Sequence, residues 1–458
     1  MSGNDVIAAV ATAWGVSAIA IVRMSGEGST AIADKFFRGA RPLSSERARH
    51  MALGVITDGD IIVDEVLAVR FDQGASYTGE ESVELHCHGG VCAAGRCLGL
   101  LMSAGARAAL PGEFTKRAFL SGRIDLAQAE AVSGVITARS RAELASASRS
   151  LQGELSSGLK DLFDSLTALR ADIEARIDFP DDVSDVEYAG YSQSLAALSA
   201  RTQSLLERCR VGLALRNGVR IAIVGRPNVG KSSLMNALLE RNRAIVTDIP
   251  GTTRDTLDAE FIHKGLAITL VDTAGMRDLS GGTGPDVIES MGVRRSREAI
   301  RGADFCMLVI DSSSSVTDED EYARLEALER STILVMNKSD LPAAQDSELN
   351  NRGRFVARVK TSALTGDGID DLKDALIEAA LGSASPSDGM MATERMVGAL
   401  EAARLCMEDA REAIDMSRGA DVAGSLLAEA AEFLAEPYGA DASEELLDAI
   451  FSTFCIGK

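Results

Sequence analysis

Gly225-Arg226-Pro227-Asn228-Val229-Gly230-Lys231-Ser232-Ser233, reading GRPNVGKSS, is the stretch on which the reading of this chain turns. It follows a β-branched run, Val219 to Val224, and leads into SLMNALL, whose leucines recur at helical spacing. Strand, loop and helix therefore stand in the order a phosphate-binding P-loop requires. Glycine at 225 and 230 lets backbone N–H groups turn inward onto phosphate oxygens. Lys231 reaches the β and γ phosphates, Ser232 offers a hydroxyl to Mg2+, and the N-terminus of the following helix adds its dipole.

Three later motifs separate this reading from a chance glycine-rich turn. Asp272-Thr273-Ala274-Gly275 follows the apolar run Ala267 to Val271, which sets a carboxylate to reach Mg2+ through water and a glycine to meet the γ phosphate. Asn337-Lys338-Ser339-Asp340 follows Thr332 to Met336. Asp340 can accept two hydrogen bonds from the guanine edge, which adenine cannot supply, so the predicted nucleotide is GTP. Thr361-Ser362-Ala363-Leu364 follows Phe355 to Val359, where backbone N–H groups are placed for the guanine carbonyl oxygen.

A chain of 458 residues predicts about three domains, each large enough to bury its own core. Lysine and arginine number 47 against 68 aspartates and glutamates, giving a net charge of −21. That balance opposes unaided binding to a polyphosphate chain. Seven cysteines lack paired spacing, no charged-then-apolar leader precedes the first strand, and no apolar run reaches membrane-spanning length. The expectation is a cytoplasmic chain without membrane association.

Taken in order, Asp5 to Ala9, Ser17 to Met24 and Ile61 to Phe71 read as strands, with helical stretches at Ser29 to Phe37 and Val91 to Ala104. Residues 1–118 are expected to form an α/β domain. From Leu126 helices take over. Leu151, Leu155, Leu159, Leu162, Leu166, Leu169, Ile173 and Ile177 step by three or four along one face of a long helix, stopped at Asp178-Phe179-Pro180. A second helix is predicted over Ser192 to Arg210, and the same spacing returns at Met396, Leu400, Met407, Ala410 and Ile414. A half-bundle on each side would expose an apolar face, so 119–215 and 385–458 are expected to pack together as one discontinuous helical domain. Residues 216–384 are then the inserted nucleotide domain, with Gly382 to Gly389 as the return linker. The fold class is multidomain α/β plus all-α.

His86-Cys87-His88 with Cys92 and Cys97 makes a poor metal site, because Cys92 and Cys97 stand about 140° apart around a helix. Terminal Phe454-Cys455-Ile456-Gly457-Lys458 does not fit a prenylation box, since it ends in lysine. A buried structural cysteine is the default reading of Cys455, and the compact turn beside it invites a docking role for Lys458 and its carboxylate.

The order of these pieces resembles the MnmE (TrmE) family of tRNA-modification GTPases along the whole chain. The resemblance is carried by Ile21-Val22-Arg23-Met24-Ser25-Gly26, Tyr77-Thr78-Gly79-Glu80, His88-Gly89-Gly90, Pro111-Gly112-Glu113-Phe114, Arg117-Ala118-Phe119-Leu120, Asp125-Leu126-Ala127-Gln128-Ala129-Glu130-Ala131, Asp248-Ile249-Pro250-Gly251-Thr252-Thr253-Arg254-Asp255 and the terminal FCIGK. It implies an N-terminal folate-binding domain that forms a homodimer, the discontinuous helical domain, and an inserted Ras-like P-loop GTPase domain. It further implies an FAD-containing partner, MnmG, joined in a heterotetramer or larger complex. Together they would modify carbon 5 of the tRNA wobble uridine with 5,10-methylene-tetrahydrofolate, for which 5-formyl-tetrahydrofolate is an analogue.

Carried over residue by residue, the resemblance implies folate contacts at Arg23, Glu80, Arg123 and Lys458. Arg123 stands where the family has lysine, and Ala13 to Ala18 is bulkier than the family's glycine-rich loop. Potassium ligands are implied at Asn228, Thr247, Ile249 and Thr252, with Thr253 joining Ser232 at Mg2+ and Asp248, Pro250 and Gly251 completing the loop over the nucleotide. Met276 occupies the place where Ras-like proteins orient water with glutamine, and a thioether cannot do so. Arg254 and Arg277 are candidates for charge stabilisation. Glu289 resembles the family's catalytic glutamate, with Asp286 the alternative. Other readings of the whole are a ribosome-assembly GTPase and a non-enzymatic folate scaffold.

Overall fold

Runs of alternating or wholly apolar residues build two sheets, each in its own compact unit. The computed structural model describes residues 5–178, 185–240, 258–272, 297–344, 354–416, 420–439 and 442–458. One unit comprises Met1–Ser133, Leu151–Val183 and Met416–Lys458, and the other Gly134–Ser150 and Ser184–Asp415.

In the first unit β1 (Ile7–Val10), β2 (Ile19–Ser25), β3 (Phe37–Gly39), β4 (Ala52–Asp58), β5 (Ile61–Phe71), β6 (Ser82–His88) and β7 (Arg107–Ala108) form a sheet ordered β3-β4-β5-β6-β2-β1-β7. All neighbours are antiparallel except β1 and β7. Alternation sends Ala20, Val22, Met24, Val83, Leu85, Cys87 and Ala68 into one core, to which the Val91–Ser103 helix contributes Ala94, Cys97 and Leu101. The opposite face is covered near β1, where Phe114 of the Glu113–Leu120 helix packs on Ile7 and Ala9. Further along that face Leu53 pairs with Leu67, Leu67 with His86, and His86 with Ile21. Leu53 is 62% and Leu67 39% exposed.

The Ser29–Asp34 helix stops earlier than its sequence pattern predicts, because Phe37 begins β3 and its ring is buried in the core. Glu81 satisfies the first turn of this helix, accepting from the Gly28 and Thr30 N–H groups at 2.9 and 2.8 Å. The leucine stripe that starts at Leu151 also divides. Arg141–Leu151 and Glu154–Asp178 are separate helices, with Gly153 at φ 88 between them. Glu154–Asp178 still buries Leu155, Leu159, Leu162, Leu166 and Ile173 and packs along Ala420–Ala435. Glu113–Leu120 runs across the boundary expected at 118/119. The Glu444–Ser452 helix, capped by Ser443, sets Leu447 and Phe451 against Leu126 and Val132.

In the second unit β8 (Val219–Val224), β9 (Asp258–His263), β10 (Leu266–Asp272), β11 (Phe305–Asp311), β12 (Ser331–Asn337) and β13 (Ala357–Lys360) lie in the order β13-β12-β11-β8-β10-β9. Only β9 runs antiparallel. Helices cover both faces, which is why β8 and β12 are nearly continuous apolar runs. Lys231–Glu240, Ile369–Leu381 and the end of Asp185–Asn217 pack on one face, and Asp318–Ala327 on the other. Asp185–Asn217 also lies along Glu394–Asp415. Among the described residues no helix is long and apolar enough to cross a membrane.

Candidate functional site

Parallel strands share the direction of their C-terminal ends, so β8, β12 and β13 deliver three polar motifs to one edge of the second sheet, where β10 also ends at Asp272. Gly225–Ser233 leaves β8 and enters the helix at Lys231. Lys231 is buried, and its ammonium donates to the carbonyls of Gly225 and Arg226 at 2.7 and 2.8 Å. Its charge is thereby held inside the loop. Asn228 is exposed at φ 65, a left-handed conformation that asparagine tolerates better than most residues. Val229 is buried, while Ser232 and Ser233 are exposed on the first helical turn. Gly230 is at φ 96, and a Cβ there would lie 2.4 Å from Asn337 Nδ2. This close approach excludes any side chain.

Asn337 joins the two ends of the site. Its Nδ2 donates to the Val229 carbonyl at 2.9 Å, and its Oδ1 accepts from the Ala363 N–H at 3.1 Å and the Thr361 hydroxyl at 3.3 Å. Being 1% exposed, it spends its polar capacity on the protein and tethers the phosphate loop to the base-reading loops. Asp340 is exposed and accepts from Ser362 Oγ at 2.6 Å, which leaves its other oxygen accessible. Lys338, at φ 63, bonds Asp311 Oδ2 at 2.7 Å. Burial works against the Asp311 carboxylate, but hydrogen bonds from Lys338 and Ser313 outweigh it and lower its pKa. Ser339 and Leu364 are exposed. Asp272 is the last residue of β10. Thr247 to Thr253, Thr273 to Gly275, Met276, Asp286 and Glu289 lie outside the described residues.

The first unit carries a second polar cluster, which brings together three of the four positions read as folate contacts, Arg23, Arg123 and Lys458. The guanidiniums of Arg23 and Arg123 stand 5.3 and 5.4 Å from the centroid of the Tyr77 ring, and Arg123 also donates to the Tyr77 carbonyl. Arg23 is held by Glu84 at 2.8 Å. Lys458 has its pKa lowered by burial and then by the charge of Arg23, so the two ends of the chain meet here. Glu80 faces elsewhere: it accepts from Ser25 Oγ at 2.7 Å and from Arg117 at 3.2 Å. Arg117 in turn bonds Asp5 and Glu113, in a network that lines a cavity of about 520 Å3 with Leu110 and Phe451. Tyr77 and Glu84 are the contributors that sequence reasoning missed, although Tyr77 stands in the Tyr77-Thr78-Gly79-Glu80 segment that was singled out. His86 is half-buried on β6, Cys87 and Cys97 are buried and Cys92 is exposed.

The fold and the nucleotide site define a GTP hydrolase built from a P-loop unit and a mixed α/β and helical unit. Residues 6–123 match the family described as GTP-binding protein TrmE N-terminus, and residues 126–455 match the MnmE helical domain. The tRNA modification GTPase MnmE of Moorella thermoacetica is 41% identical over 467 residues, covering 99% of this chain and 100% of its own. That of Chloroflexus aurantiacus is 42% identical over 460 residues, with 99% and 100% covered. Among solved structures, the G domain of the T. maritima FeoB iron transporter is similar over 35% of this chain and 98% of its own, at 32% identity and a TM-score of 0.26. The chain belongs to the MnmE family of tRNA modification GTPases.

Proposed function

We propose that this protein is the GTPase subunit of a complex that modifies carbon 5 of the tRNA wobble uridine, using a one-carbon unit from tetrahydrofolate. The observation that carries the reading is the convergence of Arg23, Tyr77, Arg123 and Lys458, drawn from four distant parts of the sequence. An aromatic ring flanked by two guanidiniums, with a partly buried ammonium beside Arg23, suits a ligand that joins a flat heterocycle to carboxylates. Folates have that chemistry. Bound methylene-tetrahydrofolate would supply a one-carbon unit at the formaldehyde level. Arg23 and Lys458 would hold its anionic groups, while Glu80, engaged by Ser25 and Arg117, stands apart from these contacts.

In the GTPase unit the donors are oxygens, the ligands that Mg2+ and K+ take. Ser232 would hold Mg2+ with Thr253, and Asn228 would hold K+ with Thr247, Ile249 and Thr252. A cation beside the β and γ phosphates offsets charge that develops during transfer. Glu289 is the proposed water-orienting residue, because Met276 cannot take that role. The exposed Leu53 and Leu67, in line with half-buried Ile21, suit a second copy of the chain laid on the same face, giving a homodimer. The net charge of −21 favours a partner subunit, the FAD-containing MnmG, that carries much of the tRNA contact. The proposed domains are 1–118, 119–215, 216–384 and 385–458, in a cytoplasmic protein. Mass spectrometry of tRNA wobble nucleosides from cells lacking this chain tests the proposal. Loss of the carbon-5 substituents is expected, and unchanged nucleosides would refute it.

A further inference from the structure

Arg226 sits inside the phosphate loop, and its side chain is committed elsewhere. Its Nε lies 3.1 and 3.0 Å from the two carboxylate oxygens of Asp320, and its Nη2 donates to Ser314 Oγ at 2.6 Å. Asp320 is 3% exposed, and its own position is fixed by the cap of the Asp318–Ala327 helix. Its Oδ2 accepts from the Thr317 N–H at 3.0 Å and the Thr317 hydroxyl at 2.9 Å, while its N–H donates back to Thr317 Oγ1 at 3.3 Å. This reciprocal cap aims a buried carboxylate at the loop. The Arg226 main chain carries the consequence, since its carbonyl and that of Gly225 hold the Lys231 ammonium.

The other end of the same segment grips the base-reading loop. Ser312 donates from its N–H and its hydroxyl to the Asn337 carbonyl at 2.9 and 2.8 Å, and Asp311 holds Lys338. Residues 311–320 therefore bond to the phosphate end through Arg226 and to the guanine end through Asn337 and Lys338.

We infer that Asp320 and Ser314 are positioning residues for the nucleotide's β phosphate: by clamping the Arg226 side chain they fix the Gly225 and Arg226 carbonyls, and through them the Lys231 ammonium. This rests on the reading of Gly225–Ser233 as the phosphate loop. A loop has no ladder of backbone hydrogen bonds to hold it, and a lysine stem has four rotatable bonds, so placement of the charge depends on what anchors the carbonyls it rests on. Arginine suits that anchor because its rigid planar guanidinium holds Nε on Asp320 and Nη2 on Ser314 in one fixed relation.

The full-length chain, with GDP and GMP affinities measured by displacement of a fluorescent guanine nucleotide, tests this. Asp320→Asn keeps the shape of the cap, and Ser314→Ala removes a single hydroxyl, so both variants are expected to fold. Each should weaken GDP, by about tenfold for Asp320→Asn and about threefold for Ser314→Ala, while GMP, which lacks the β phosphate, changes less than about twofold. Arg226→Met should match Asp320→Asn, and the double variant should be no weaker than Arg226→Met alone. A parallel fall in GDP and GMP affinity, or unchanged GDP affinity in Asp320→Asn, would overturn the inference. Lys231→Met separates the two claims: GDP affinity unaffected by that change would refute the phosphate-loop reading itself.

Discussion

Gly457 is the penultimate residue, and replacing it with alanine perturbs the position of Lys458 without touching a charged group. Gly457 adopts φ 92, and a Cβ there would lie 2.6 Å from the Val10 carbonyl oxygen and 2.8 Å from Ala11 Cα. Both are backbone atoms of the first strand and the turn after it, so neither can rotate away. Keeping the tail docked costs alanine about 1–2 kcal/mol for the left-handed backbone and a further ~1–3 kcal/mol for overlap. Releasing the tail is cheaper. It gives up the Lys458 N–H to Cys455 carbonyl bond at 3.3 Å, worth about 1 kcal/mol, and little apolar burial, because Ile456 is 58% exposed. Phe451 and Phe454 stay in the core, which should limit the change in melting temperature to about 2 °C. The assay is calorimetric titration with 5-formyl-tetrahydrofolate. Gly457→Ala should raise Kd by about tenfold or more, as expected for the loss of one charged contact, and leave GTP hydrolysis intact. Wild-type affinity in a variant whose tail is displaced would show that Lys458 is not a ligand contact. A collapse in melting temperature would refute the account of how the strain is relieved.

Three further outcomes are expected. GTP hydrolysis should run faster in potassium than in sodium at matched ionic strength, and Asn228→Gly, which keeps the φ 65 backbone and removes only the carboxamide, should bring the two rates together while GDP still binds. Single-turnover hydrolysis under saturating GTP and potassium should lose most of its rate in Glu289→Ala with affinity kept; a normal rate there beside a crippled Asp286→Ala would transfer the role to Asp286. Burial opposes the Glu81 carboxylate, but hydrogen bonds from Thr30 and Gly28 prevail and lower its pKa below the ordinary 4.5. Its contribution is present above pH 4.5 and is lost as pH falls through the lowered folded value. Glu81→Gln should therefore cost about 1 kcal/mol at pH 7, a modest figure because the group is half-exposed, and denaturant titrations of the two proteins should converge in acid.

Local sequence was sufficient wherever a motif contains its own geometry. GRPNVGKSS needs only a strand before it and a helix after it, and both are where the apolar periods put them. The same holds for β5 over Ile61–Phe71, bounded by Gly59 and Gly74. Tertiary structure decided what local pattern leaves degenerate. The Ser29 helix could have continued through Phe37 by propensity, but that ring has more apolar surface to bury as the first residue of β3. A leucine period is blind to one glycine, so the break at Gly153 appears only when the helices on either side take different partners. Spacing along the chain also cannot reveal that Tyr77 lies between Arg23 and Arg123, or that Asp320 reaches Arg226 across 94 residues. Those contacts are set by the order of strands in a sheet and the packing of helices on it. The sequence by itself determined the nucleotide, the chemistry of the loops and the family; the fold alone decided which distant charges share a site, because charge pairing depends on separation in space and carries no period along the chain.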